Sequence, residues 1–239
     1  MARYALADHV FVCVNGEHLV LLDLKEDRYW ALEASKTAGL GALVGGWPVK
    51  PIDATADAES PTPETADAIE VLRGRGLLAD SVPSGKDATP VAATIPAREL
   101  ATEGDAAAGR GAGGWLGFFA ASATAKIALR TWPFERVIRR VKRRKTLIGP
   151  KAGQLDVERA RKLVEAFTRY RVFLFSSKNE CLYDSLALLE YLARFGIYAD
   201  WVFGVQTRPF AAHCWVQHGD IVFNDTVEHV SGYTPIMVV

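Results

Sequence analysis

The run Asn179-Glu180-Cys181-Leu182-Tyr183-Asp184-Ser185-Leu186-Ala187-Leu188-Leu189-Glu190-Tyr191-Leu192 decides the reading of this chain. Leu182, Leu186, Leu189 and Leu192 recur at helical spacing, Ser176, Ser177 and Asn179 supply cap-type residues before them, and Gly196 ends the period. Cys181 therefore falls in the first turn of a helix. Unpaired N–H groups and the positive end of the helix dipole favour a thiolate there, and the same N–H groups suit an oxyanion. The blander alternative is that Cys181 is a small buried hydrophobe.

Two strands follow the helix. Ala211–Gln217 and Ile221–Asp225 flank His218-Gly219-Asp220, which reads as a three-residue hairpin loop. Pairing Gln217 with Ile221 sets His213 directly opposite Asp225, close enough for a carboxylate to hold an imidazole proton. Alternation puts Trp215 on the His213 face and turns Ala212, Cys214 and Val216 away, so Cys214 is expected to be core packing. His218 reads as a turn residue and His229 as a loop residue. Cys181, His213, Cys214 and His218 lack paired zinc-ligand spacing, so no metal is expected. Cys181, His213 and Asp225 are the candidate nucleophile, base and orienting carboxylate.

The chain has 239 residues, enough for one large or two small domains, and its 49% apolar content suffices for real cores. No apolar run approaches a bilayer span, the first residues lack a secretory pattern, and three cysteines argue against a disulfide framework. A cytoplasmic protein is expected. Residues 1–114 carry 10 Lys/Arg and 17 Asp/Glu, whereas residues 115–239 carry 18 and 11, so two bodies of opposite sign share a net charge of zero.

From His9 onward the alternation of Val10, Val12 and Val14, the Asn15-Gly16 turn, Leu19–Leu24 and Arg28–Leu32 predict a three-strand meander. Helices are predicted over Glu33–Val44 and Pro63–Arg73, the latter capped by Thr62 or Thr65 with Ala66, Ile69 and Leu72 on one face. Trp47, Ile52 and Leu77-Leu78 complete a small core in residues 1–82. Residues 83–114 hold nine Ala, six Gly and three Pro without an aromatic, which predicts a flexible linker. Residues 115–239 form the second domain, with helices ending at Pro133, over a segment containing Val137, Ile138 and Val141, and over Asp156–Tyr170. The basic run within residues 136–151 reads first as a solvated helix face. Its sharper readings are a patch for an acidic partner or an anionic membrane surface; nucleic acid is not expected, since no aromatic residue interleaves the run.

The words Cys181-Leu182, Ser185-Leu186-Ala187-Leu188, Phe203-Gly204-Val205, Pro209-Phe210-Ala211-Ala212-His213-Cys214-Trp215-Val216, Asn224-Asp225 and Tyr233-Thr234-Pro235-Ile236 resemble the B proteins of lasso peptide biosynthesis, which are leader peptidases. The family often has a smaller residue where this chain has Cys214. Leu21-Leu22-Asp23-Leu24 with Arg28-Tyr29-Trp30-Ala31-Leu32 resembles the PqqD-like winged-helix module that recognises leaders. The resemblance implies an α+β chain in which a PqqD-like domain is fused to a transglutaminase-like, papain-like cysteine protease domain. It implies a lasso precursor peptide as substrate, an ATP-dependent lasso cyclase as partner and no cofactor. The leader would add a strand along Arg28, Tyr29, Trp30 and Leu32, against the helix bearing Ile69 and Leu72. Two rivals remain: a transglutaminase-like acyltransferase, and a non-catalytic leader-binding adaptor.

Overall fold

The computed structural model describes residues 3–50, 62–80, 84–100, 114–148, 155–171 and 181–239. The chain divides into two compact units. One comprises residues 1–92 with Val205–Ala211 and Thr234–Met237; the other comprises Ala93–Gly204, Ala212–Tyr233 and Val238–Val239.

In the first unit, β1 (Ala5–Leu6) is followed by an antiparallel meander of β2 (Val10–Asn15), β3 (His18–Asp23) and β4 (Arg28–Glu33). Asn15 pairs with His18, and Gly16 takes φ +58°, the left-handed conformation that a tight hairpin turn needs. Asp23 pairs with Arg28, and its carboxylate accepts from Lys25 N (2.9 Å) and Glu26 N (3.2 Å) to close the second turn. The segment expected as an α-helix over 33–44 is a 3-10 helix, Ser35–Ala42, because Gly39 and Gly41 within eight residues weaken α-helical propagation. Then α1 (Pro63–Gly74) starts as its sequence requires, with Thr62 Oγ1 accepting from Thr65 N (3.3 Å) and Pro63 in the first turn. Its inward face is Thr65, Ile69 and Leu72, with Ala66 exposed instead. Thr65 is admitted because its hydroxyl bonds Thr62 Oγ1 (2.9 Å), which satisfies its polar atom. A final strand, β5 (Leu78–Ala79), pairs back on β1. Trp47 is buried in this core as expected, whereas Ile52 lies outside the described residues.

Residues 84–100, expected to be flexible linker, are built into the fold. Lys86 exchanges backbone hydrogen bonds with Leu6 (both 2.8 Å), Ala88 is buried in the first unit, and β6 (Arg98–Glu99) pairs in parallel with β9 (Ile221–Val222) in the second. Strand pairing satisfies backbone groups whatever the side chains, so a composition short of aromatics did not exclude it. Residues 101–113 lie outside the described residues.

The second unit contains α2 (Trp115–Thr131), α3 (Phe134–Ile148), α4 (Val157–Arg171) and α5 (Cys181–Ala193), the turn at Pro133 separating α2 from α3 as predicted. A five-stranded sheet has the order β10-β7-β8-β9-β6, with β7 (Asp200–Thr207), β8 (Phe210–His218) and β10 (Thr234–Val238). Every residue of α5 from Asp184 to Leu192 is buried, which is why its sequence is apolar on more than one face. No helix among the described residues is long and apolar enough to cross a membrane.

Burying α5 also buries Glu190, and the basic run answers it. Arg144 Nη1 bonds Glu190 Oε2 (2.8 Å), Arg140 Nη2 lies 3.5 Å from it, and Lys145 pairs with Asp200. Part of the run expected as a solvated face is thus an internal counter-charge. Arg144→Ala, which strips the nearest partner from a buried carboxylate, should lower unfolding free energy by about 3 kcal/mol. Exposed Arg143→Ala should stay within about 0.5 kcal/mol of the parent in the same urea titration. Equal effects would show that Glu190 does not depend on Arg144.

Candidate active site

Cys181 opens α5 and is half-buried. Its position in the first turn leaves N–H groups without intrahelical partners around it. The expected caps Ser176, Ser177 and Asn179 lie outside the described residues.

The hairpin that carries His213 differs from expectation by one step. Gln217 pairs with Val222 and His218 with Ile221, so the turn is the two residues Gly219-Asp220. Gly219 takes φ +58°, as a two-residue hairpin turn demands, and Arg98 grips Asp220 through two bonds of 2.9 and 2.7 Å. This register would set Thr226, not Asp225, opposite His213. The ladder stops before that point: Phe223 N bonds Val216 O (2.9 Å), Asn224 Oδ1 accepts from Val216 N (2.8 Å), and the chain turns away. Asp225 then reaches His213 through its side chain, with Oδ2 2.5 Å from Nε2. The proximity read from the sequence is present, and its cause is a strand ending rather than a ladder pair.

Around the imidazole, Trp215 stacks at 6.1 Å on the face that alternation assigned to it, and the rings of Tyr233 (5.2 Å) and His229 (4.7 Å) close other sides. Gly204 of β7 leaves the room: a Cβ there would lie 2.8 Å from Tyr233 Cβ and 3.0 Å from the Trp215 ring. With Nε2 turned to Asp225, Nδ1 is the nitrogen left for the sulfur, and Cys181 is near enough to raise the imidazole.

On the other side of the strand Cys214 is buried, as expected of a packing residue, and its thiol and backbone N–H also favour the Cys181 thiolate. Ser185, one turn along α5, joins them: its Oγ donates to Cys181 O (2.6 Å), accepts from Trp201 Nε1 (2.8 Å) and lies 3.3 Å from Cys214 Sγ. Asp184 is buried beside them, with Asn224 Nδ2 donating to its Oδ2 (3.2 Å) and Arg171 Nε 3.0 Å from Oδ1. Burial raises the Asp184 carboxyl, against the pull of Arg171 and Asn224.

These contacts set the charges. The Cys214 thiol, then His213 and the Cys214 N–H, bring Cys181 down to about 4, overcoming the opposing effect of burial. Burial alone would lower His213, but the bonds and charges of Asp225 and Cys181 outweigh it and raise the imidazole to about 9. Asp225 is lowered despite burial by His213, Thr226 N and His229. A thiolate exists above the first value and an imidazolium below the second, so the ion pair holds across the neutral range. Such a pair supplies a nucleophile and a poised general acid without external activation. Asp225 and His229, four residues apart, and Cys181 and Ser185, also four apart, were the sequence signals available for the residues missed. Among the described residues, His213, Asp225 and His229 also bring metal-type ligand atoms within 4.8 Å of one another, but both imidazoles already commit a nitrogen to the carboxylate.

The candidate leader-binding residues lie in the first unit. Strand β4 is an edge of its sheet, and the guanidinium of Arg75 covers Trp30 at 3.9 Å. Arg28 is exposed and Tyr29 half-buried, Trp30 and Leu32 pack partly against the core, and Ile69 and Leu72 are fully within it.

Residues 121–238, from within α2 to the end of β10, match the model of the Transglutaminase-like superfamily. Searches of curated proteins and of solved structures returned no significant match.

Burial pushes the Cys13 thiol up to about 12, so alkylation by iodoacetamide should report on Cys181 selectively. Followed by intact mass, the rate at Cys181 should stay flat from about pH 5 to about pH 8, where a free thiol climbs tenfold per unit. Cys214→Ala should move the onset upward by about one pH unit through loss of the thiol donor. An onset near pH 8.5 in the parent protein would refute the ion pair.

Proposed function

We propose that this chain is a cysteine leader peptidase of the lasso type: it binds the leader of a ribosomally made precursor and cuts at the leader–core junction. The carrying observation is the His213–Asp225 pair, beside a Cys181 sulfur whose surroundings favour the thiolate. A transglutaminase-like domain accommodates peptidase and acyl-transfer chemistry alike. The lasso assignment draws on the sequence words around Cys181, His213 and Tyr233.

In this reading the Cys181 sulfur attacks the scissile carbonyl carbon, and the carbonyl electrons move to oxygen, facing the first-turn N–H groups of α5. Collapse breaks the C–N bond as the His213 imidazolium gives its proton to the leaving amine. Water then attacks the thioester while neutral His213 takes its proton, releasing the leader acid and the thiolate. Asp225 stays ionised and fixes the imidazole. Residues 1–82 serve as the recognition module, with the β4 edge adding the leader as a strand beside Trp30 and the helix of Ile69 and Leu72 underneath. Being joined in one chain to the peptidase of residues 115–239, the module raises the effective concentration of the scissile bond. The freed core amine passes to an ATP-dependent cyclase.

Mass spectrometry of a candidate precursor should show one cut with the parent protein and none with Cys181→Ala. Product carrying an added amine in place of water would turn the reading to acyl transfer, and a precursor bound but intact with cyclase present would turn it to an adaptor. Trp30→Ala should weaken leader binding about tenfold while leaving Cys181 alkylation unchanged.

A further inference from the structure

We propose that His229 is a positioning residue that holds the Asp225 carboxylate in register with His213; the inference rests on the peptidase reading. A carboxylate turns easily about its terminal torsion, so a single bond to His213 does not fix it. Its second oxygen is therefore decisive. Asp225 Oδ1 accepts from Thr226 N (2.8 Å) and lies 2.9 Å from His229 Nδ1, while Oδ2 meets His213 Nε2. Asp225 is ionised, so His229 is the donor, which sets its proton on Nδ1.

His229 is itself held. It lies on α6 (Val227–Ser231), whose first turn is tied at two points: Thr226 Oγ1 accepts from His229 N (3.2 Å), and Glu99 Oε1 accepts from Val227 N (2.8 Å). Glu99 belongs to β6, paired with Val222 just ahead of the turn that carries Asp225. Tyr233 meets the His229 ring edge-on at 5.5 Å, and the same tyrosine packs on His213. The line of support runs from β6 through α6 and His229 to Asp225, and from there to His213. Among the described residues the other nitrogen of His229 has no hydrogen-bonding partner, and half of the side chain is exposed (51%).

The test uses the full-length chain with His229→Ala and His229→Asn; the asparagine amide nitrogen sits where Nδ1 was. Iodoacetamide alkylation of Cys181 between pH 4 and 8 needs no substrate, and Cys181→Ala serves as its blank. His229→Ala should slow alkylation near pH 4 about fivefold and reduce kcat for precursor cleavage about tenfold, with KM within about twofold. His229→Asn should return both to within about threefold of the parent, and the thermal midpoints of the two variants should agree. An unchanged alkylation profile in His229→Ala would overturn the proposal, as would an asparagine variant as slow as the alanine one. If alkylation responds as expected while the parent protein cuts no precursor, the positioning role stands and the peptidase reading fails.

Discussion

A half-buried thiolate is the constraint on which the second unit is built. Taking an anion out of water is unfavourable unless donors and a cation replace the solvent. Around Cys181 the groups that favour the anion are the Cys214 thiol and N–H and the His213 imidazolium. They belong to adjacent residues of β8, whose side chains leave opposite faces of the strand. The start of α5 therefore has to sit over the strand so that its first side chain meets both. Ser185 keeps that seat by joining the Cys181 carbonyl, Trp201 and Cys214 in one buried node.

A second requirement follows from the imidazolium. Its charge has to be answered by Asp225, and the carboxylate arrives from a chain that has just left the sheet. The short β9, the two-residue turn and the Asn224 bond to Val216 N end the ladder where Asp225 needs its freedom. Freedom then has to be removed again, by Thr226 N, by His229 and by the strand β6 that borders the turn. A segment whose composition reads as a spacer contributes Arg98 to the turn and Glu99 to the helix behind Asp225. Gly204 has a comparable part on the far side, since a side chain there would collide with Trp215 and Tyr233, the rings that pack His213.

Elsewhere the buried charges obey the same logic. Glu190 lies on a helix buried all round, and Arg144 and Arg140 of the basic run answer it. The run is thus partly a structural counter-ion, leaving other members such as Arg139 and Arg143 at the surface.

What the sequence determined by itself is local. The meander, the Thr62 cap, the break at Pro133, the helix headed by Cys181 and the facing of Trp215 with His213 all follow from spacing, turn chemistry and alternation, which act over a few residues. The approach of His213 and Asp225 was also legible, because a short hairpin leaves few ways to arrange the two. Only the tertiary structure decided the rest. The one-step register depends on where a strand stops pairing, the entry of Thr65 in place of Ala66 on a partner hydroxyl, and the placement of residues 84–100 on two sheet edges distant in sequence. The part of Cys214 beside the sulfur depends on how α5 sits across β8. These are contacts between segments far apart in the chain, and local spacing carries no record of which distant group will meet a side chain once the cores have closed.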